Sequence, residues 1–144
     1  GRSAAEACAG TPEPPDEYLF HAASSGNVPE VLSTLQEAMF RNAMVIRGEE
    51  GLSAALGTVE RLSANLSLCP SADVRAIAQT RRLTGRLHTA EAILKAALLR
   101  RESRGAHYRA DYPEADPAQS SPIIVSQDSG AIRARFTKED VPCS

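Results

Sequence analysis

A chain of 144 residues has the length of one ordinary domain and can bury a hydrophobic core. Apolar residues make up 42%, charged residues 24% and aromatic residues only 4%, which argues against long disorder and against an aromatic-rich β-sandwich. The net charge of -2 argues against a strongly basic nucleic-acid binder, and no apolar run approaches the ~18 residues of a membrane span.

The N-terminal sequence and the cysteines bear on cellular location. No basic segment followed by an apolar one opens the chain, so we predict no signal peptide. Cys8, Cys69 and Cys143 lie far apart and lack CxxC spacing, which is typical of neither a disulfide framework nor a zinc site. We interpret them as reduced thiols of a cytoplasmic protein.

Two N-terminal segments precede the first strong helical pattern. Residues 2–9 are rich in helix formers but too short to be a stable helix alone. Residues 10–30 contain Pro12, Pro14 and Pro15, and we predict a linker there without a packed element.

The first two predicted helices follow from apolar residues repeated every three or four positions. The first begins at Pro29 and ends at Gly48 and Gly51, and the second stops at Cys69-Pro70 because the residue before proline disfavours helical angles. Their apolar faces are Leu32, Leu35, Met39, Ala43 and Ile46 in the first, and Leu52, Ala55, Leu56, Val59, Leu62 and Leu66 in the second.

The third predicted helix is the longest. Ser71 is its expected cap, Gly85 is tolerated within it, and it runs to about Arg104, where Gly105 is a C-terminal stop. Three amphipathic helices with short connections predict an all-α, antiparallel three-helix bundle. We expect these core side chains to face one another: Leu35, Met39, Val59, Leu62, Ile93 and Ala97.

The C-terminal tail has a different pattern. Residues 123–125 are β-branched, and Ile132, Ala134 and Phe136 alternate with polar residues, which predicts two short strands joined by a turn over residues 128–130. A lone hairpin is marginal in water, so we expect it to lie on another element.

The sequence contains no recognisable active site. His21, His88 and His107 are scattered, and neither an HExxH pair nor a glycine-rich phosphate loop is present. We therefore predict no catalytic, cofactor-binding or metal-binding residue in this chain.

Residues 75–109 carry nine Lys or Arg and only two acids. Such a run is most often a solvated helix face. A nucleic-acid surface would need interleaved aromatic residues and a basic net balance, and we predict none. The remaining interpretation is a polar edge that docks another protein layer.

Three stretches resemble a known family. The run RESRGAHYRADYP over residues 101–113 resembles the signature late in the flavoproteins of succinate dehydrogenase, fumarate reductase and L-aspartate oxidase. LQEAMF over residues 35–40 and VIR over 45–47 resemble the first helix of that family's C-terminal helical domain. GRSAAEA over residues 1–7 resembles the last helix of the preceding FAD-binding domain.

The resemblance implies an excised C-terminal domain whose FAD and substrate sites lie in upstream domains. Tyr108 and the DYP ending over residues 111–113 are similar to the L-aspartate oxidase form of the family. That enzyme uses FAD to oxidise L-aspartate to iminoaspartate for NAD synthesis. The alternatives are the same domain of a succinate dehydrogenase or fumarate reductase flavoprotein, and a free-standing interaction module that uses the basic third helix.

On this interpretation the chain has three parts. Residues 1–28 are the end of the flavin domain and a linker, 29–105 the bundle, and 106–144 a C-terminal extension. The expected partner is the flavin domain of the same protein, and a homo-oligomer is left open. We predict that the docking residues are either unusually exposed in this chain or held by neighbouring molecules in a crystal: Arg101, Glu102, Ser103, Arg104, His107, Tyr108, Arg109 and Asp111.

Overall fold

The computed structural model describes residues 20–23, 28–66, 68–71 and 73–137. The helix-prone segment 2–9, most of the linker, Cys8 and Cys143 lie outside the described residues. Within them, three helices account for most of the regular structure: α1 is Val28–Asn42, α2 is Glu49–Ala64 and α3 is Val74–Leu99.

The described residues also form three two-stranded sheets, which the all-α prediction did not include beyond the C-terminal hairpin. Strand β1 (Phe20–Ala23) pairs with β3 (Leu68–Ser71), β2 (Ile46–Arg47) with β4 (Tyr108–Arg109), and β5 (Ile123–Asp128) with β6 (Ala131–Phe136). A short 3-10 helix over Pro117–Gln119 precedes β5.

The hydrophobic core lies where the three helices meet. Leu52, Val59 and Leu94 are completely buried there. Of the predicted core residues, Leu35, Val59 and Ala97 are buried, and Met39 and Leu62 are half-buried against the core.

The prediction was wrong for Ile93, which is 44% exposed. The inward face of α3 runs through Leu87, Ala90, Leu94 and Ala97. Ile93 precedes Leu94 by one residue, which is about 100° around the helix, so its side chain leaves the core. Ile93 instead lines an open groove between α1 and α3.

The linker contains a packed element, contrary to prediction. Strand β1 pairs antiparallel with β3, in a register that runs from Phe20 opposite Ser71 to Ala23 opposite Leu68. The Cys69-Pro70 step predicted to stop the second helix therefore lies in a strand, and α2 ends earlier, at Ala64. The N-cap of α3 is Asp73 rather than Ser71, and its carboxylate accepts from the Arg75 backbone N–H at 2.9 Å.

Helix α1 ends before the predicted Gly48, because the chain turns into β2. The Arg47 Nε–H donates to the carbonyl oxygens of Ala43 and Met44 at 3.1 and 3.0 Å, which satisfies acceptors beyond the helix end. Val45 and Ile46 are β-branched and favour the extended backbone that follows.

The predicted hairpin is present. Strands β5 and β6 are antiparallel in register from Ile123 opposite Phe136 to Asp128 opposite Ala131. Ser129 and Gly130 form the two-residue turn with φ of 49° and 85°, the positive angles of a type I′ connection. As expected, the hairpin lies on another element, since Lys95 of α3 donates to the Ile132 carbonyl at 3.0 Å.

Candidate functional site

The segment after α3 folds back on the helix and forms a polar cluster, which we call the ion-pair loop (residues 100–116). Helix α3 ends at Leu99, five residues before the predicted end at Arg104. Gly105 has a φ of +56°, but it serves a tight turn in which the backbones of Arg104 and His107 bond to each other at 2.8 and 3.0 Å. The chain then enters β4, parallel to β2.

Glu102 is the centre of the first half of the loop and is fully buried. Its carboxylate accepts from Arg104 at 2.9 and 3.1 Å, from Arg100 at 2.5 Å and from the Asp116 backbone N–H at 2.7 Å. The Arg104 guanidinium lowers the pKa of Glu102 to about 2 from its ordinary 4.5, and the Asp116 N–H and Arg100 act in the same direction against the cost of burial. Glu102 is therefore ionised and satisfied inside the domain.

Arg109 is the centre of the second half and is also fully buried. Its Nε and Nη2 donate to the two Asp111 oxygens at 2.7 and 2.6 Å, a bidentate pair, and Nη1 donates to the Ala97 carbonyl at 2.9 Å. The hydrogen bond from Arg109 lowers the pKa of Asp111, and the same bond raises the pKa of Arg109. Arg109 thus closes the C-terminal end of α3, where carbonyls lack helical partners.

The connection between α1 and α2 contacts the ion-pair loop through Arg47 and His107. Arg47 Nη1 lies 2.8 Å from His107 Nδ1, and His107 Nε2 lies 3.3 Å from the Arg100 carbonyl. Because arginine only donates and a carbonyl only accepts, the ring is neutral, with its proton on Nε2. Burial lowers the pKa of His107 below 6.5, and the charges of Arg47, Arg109 and Arg100 lower it further.

Ser103 ties the two halves of the loop together. Its hydroxyl donates to the Tyr112 carbonyl at 2.8 Å and accepts the Arg109 backbone N–H at 2.9 Å. The Ser103 N–H donates to the Glu114 carbonyl at 3.0 Å. Throughout the described residues, no buried side-chain nitrogen or oxygen lacks a partner.

The structure brings the eight predicted docking residues together in one loop but divides them by exposure. Arg101, Arg104, Tyr108 and Asp111 are exposed, and Ser103 and His107 are half-buried. The prediction of unusual exposure is wrong for Glu102 and Arg109, which are completely buried because each finds its counter-charges within this chain.

Three residues that the list of predicted docking residues leaves out complete the ion-pair loop. Arg100 contacts Glu102 and donates to the Gln119 and Ser121 carbonyls at 2.5 and 2.9 Å. Glu49, in the first turn of α2, lies 3.5 Å from Arg109, and Arg47 reaches His107. The contacts of Glu49 and Arg47 span some sixty residues of sequence, which no local pattern signals.

The described residues do not fit a dinucleotide site. A helix N-terminus binds a pyrophosphate through its free backbone N–H groups, and nearby carboxylates repel the bound anion. The first turn of α1 carries Glu30, that of α2 carries Glu49 and Glu50, and Asp73 caps α3. Nor do the described residues contain a group of three or more His, Cys, Asp or Glu able to hold a metal ion.

Among the helices described, none combines the length and apolar character needed to cross a bilayer.

Comparison with known proteins places the chain in a family. Residues 32–142 match the family described as "Fumarate reductase flavoprotein C-term", and the chain belongs to it. L-Aspartate oxidase of Rhodospirillum rubrum is 39% identical over 109 residues, which cover 76% of this chain and 34% of the relative. L-Aspartate oxidase of Mycobacterium bovis is 36% identical over 136 residues, covering 92% of this chain and 22% of the relative.

Solved structures agree on the fold. E. coli quinol fumarate reductase FrdA superposes with a TM-score of 0.70 at 20% identity and covers 89% of this chain, which is 24% of that protein's chain. Mycobacterium smegmatis Sdh1 in complex with UQ1 gives a TM-score of 0.68 at 25% identity, over 87% of this chain and 22% of the other. The chain thus spans about a third or less of the length of the relatives it matches.

Proposed function

We propose that this chain is the C-terminal helical domain of an L-aspartate oxidase, and that it stabilises the flavin-bearing part of the enzyme without taking part in the chemistry. The whole enzyme would use FAD to oxidise L-aspartate to iminoaspartate in NAD biosynthesis, in the cytoplasm. FAD and substrate would be held by the remaining, larger part of the polypeptide.

The observation that carries the proposal is that relatives named L-aspartate oxidase are more similar to this chain in sequence than a relative named fumarate reductase. Relatives named L-aspartate oxidase are 36–40% identical to this chain, including one from Caulobacter vibrioides at 40% over 86 residues and one from Pyrococcus furiosus at 38% over 97 residues. A relative from Methanothermobacter marburgensis that is named as a CoM/CoB fumarate reductase is 28% identical over 102 residues. The oxidase is therefore favoured over the succinate dehydrogenase and fumarate reductase alternative.

The division of the chain is part of the proposal. Residues 1–28 would be the end of the flavin domain and a linker, 29–105 an antiparallel bundle and 106–144 an extension. Connections of residues 43–48 and 65–73 between consecutive helices support the antiparallel arrangement, because short connections reverse the chain direction.

The ion-pair loop supports a docking role in which its exposed residues make the contact and its less exposed residues hold them in position. Its exposed members, Arg101, Arg104, Tyr108 and Asp111, would meet the flavin domain. Its less exposed members, Glu102, Ser103, His107 and Arg109, would position that surface from beneath, since their polar groups are bonded within the loop and to α3.

The test is to purify the full-length gene product that contains this segment and the 144-residue chain separately. We expect the longer protein to carry FAD and to oxidise L-aspartate in preference to succinate, and the chain alone to be helical by circular dichroism and colourless. A longer protein that prefers succinate, or a short chain with stoichiometric FAD, would overturn the proposal.

A further inference from the structure

The end of α1 and the start of β2 expose an unusual number of large apolar side chains. Phe40 is 70% exposed, Met44 53%, Val45 71% and Ile46 69%, all within seven consecutive residues. Tyr108, 44% exposed, lies beside Ile46 because the two are partners in the β2–β4 ladder. We call these five residues the apolar strip.

The ladder explains why two of these side chains, Ile46 and Tyr108, face outward. Successive residues of a strand point to opposite faces, so Ile46 and Tyr108 share one face while Arg47 and Arg109 share the other. The inward face is held by the Arg47–His107 contact at 2.8 Å and by the burial of Arg109. The ion-pair loop therefore holds in place the backbone that presents Ile46 and Tyr108 of the apolar strip.

No described residue of this chain covers the apolar strip. An ordered, exposed patch of large apolar side chains is typical of an interaction surface, particularly where polar residues border it. Arg101 and Arg104, on the same loop as Tyr108, have side chains that are 60% and 45% exposed and can form such a border.

We propose that the apolar strip is the surface on which the preceding FAD-binding domain of the same polypeptide packs. This inference rests on the proposed function. The chain spans 14–34% of its L-aspartate oxidase relatives, so most of such a polypeptide lies outside it and is tethered to it at high local concentration. An intramolecular partner can therefore bury the strip without the entropy cost of bimolecular association.

The test compares cysteine labelling in the 144-residue chain and in the full-length gene product. Val45→Cys places a thiol in the strip, and Val74→Cys is the matched control, since Val74 is 78% exposed and lies at the start of α3. Maleimide labelling at each site is followed by peptide mass spectrometry, which separates it from the natural cysteines. We expect both sites to label rapidly in the short chain, and Val45→Cys to label about tenfold or more slowly in the full-length protein while Val74→Cys does not change.

Three results would overturn this inference. Equal labelling of Val45→Cys in both proteins would mean that the strip stays open. Slow labelling in a monomeric short chain would mean that another part of these 144 residues covers it. A short chain that sediments as a dimer, and becomes a monomer as Val45→Asp, would make a second copy the occupant.

A second readout uses Val45→Asp and Val74→Asp. Both sites are exposed, so each substitution should change the melting temperature of the short chain by less than about 2 °C. In the full-length protein only Val45→Asp should lower the melting temperature and FAD retention, and an unchanged protein would contradict the inference. FAD absorbance of the unmodified full-length protein tests the proposed function separately, because a colourless protein defeats that function whatever the labelling shows.

Discussion

Arg109 Nη1 donates to the Ala97 carbonyl oxygen at 2.9 Å, so a fully buried guanidinium closes the C-terminal end of α3. The same side chain holds Asp111 through two hydrogen bonds and lies 5.0 Å from the centre of the Tyr112 ring. Arg109, twelve residues after Ala97 in the sequence, thus caps the end of α3. The positive charge of its buried guanidinium is neutralised by Asp111.

Arg109→Met is expected to destabilise the chain by about 1–3 kcal/mol, because it removes the buried donor to the Ala97 carbonyl and leaves Asp111 with only the Glu49 backbone N–H. Arg101→Met is the control: its side chain is 60% exposed and its contact with Glu49 is 3.9 Å, so the loss should be under about 1 kcal/mol. Urea unfolding followed by circular dichroism measures both. Similar losses of unfolding free energy in the two variants would show that the buried Arg109 contributes no more to stability than the exposed Arg101.

The buried Glu102 carboxylate predicts acid sensitivity. Its pKa is about 2 in the folded chain against an ordinary 4.5, so the unfolded chain binds more protons between these values. The stability that Glu102 contributes is therefore present above pH 4.5 and is lost as the pH falls toward 2. The lowered pKa of Asp111 adds a loss of the same sign.

Glu102→Gln should destabilise the chain at pH 7 and flatten the fall in urea midpoint between pH 4.5 and 2. Glu37→Gln, in a surface pair with Arg41 whose side chains are 60% and 71% exposed, should have little effect at pH 7. An unchanged slope in Glu102→Gln would contradict the assignment of the acid sensitivity to this carboxylate.

His107 should titrate below the ordinary 6.5, because burial and three neighbouring arginines disfavour its protonated form. The unfolded chain then binds the proton more readily, so stability is lost as the pH falls below 6.5. NMR titration of the ring carbons measures the pKa directly. Arg47→Met should raise it, since this removes a positive charge and the donor to Nδ1, and a pKa that stays the same or falls would count against the contact.

Leu94→Ala and Ile93→Ala are a matched pair of neighbours in α3. Leu94 is completely buried, and its truncation should cost about 2–5 kcal/mol. Ile93 is 44% exposed and should cost under about 1 kcal/mol. Leu62→Ala should fall between the two because Leu62 is only half-buried, and equal losses at residues 93 and 94 in urea unfolding would mean that the helix is rotated.

Substitution by alanine should have opposite effects on stability at two glycines. A Cβ at Gly85 meets nothing within 4 Å, so Gly85→Ala should stabilise α3 by about 0.5–1 kcal/mol. Gly130 has a φ of +85° in the hairpin turn, so Gly130→Ala should destabilise by about 1–2 kcal/mol. Differential scanning calorimetry of the two variants checks the signs, and destabilisation by Gly85→Ala would show that the groove beside it is filled.

The sequence by itself determined the three amphipathic helices, the hairpin with its turn before Ala131, and most of the core, including Leu35, Val59 and Ala97. These features depend on residues a few positions apart, because helix periodicity, strand alternation and turn preference are local properties of the chain. The run at residues 101–113 could also be recognised from the sequence as one motif, although the contacts among its residues could not be predicted.

Only the tertiary structure decided where α1 and α3 end and which charges are buried. Gly105 is a good local stop signal, yet α3 ends at Leu99 because Arg109 and His107 reach back to the carbonyls of its last turn and its cap. Burial of Arg109 depends on Asp111 nearby and on Glu49 sixty residues away. Whether a charge is exposed or buried is settled by the partners that the fold brings to it, and contacts between distant residues leave no periodic trace in the sequence.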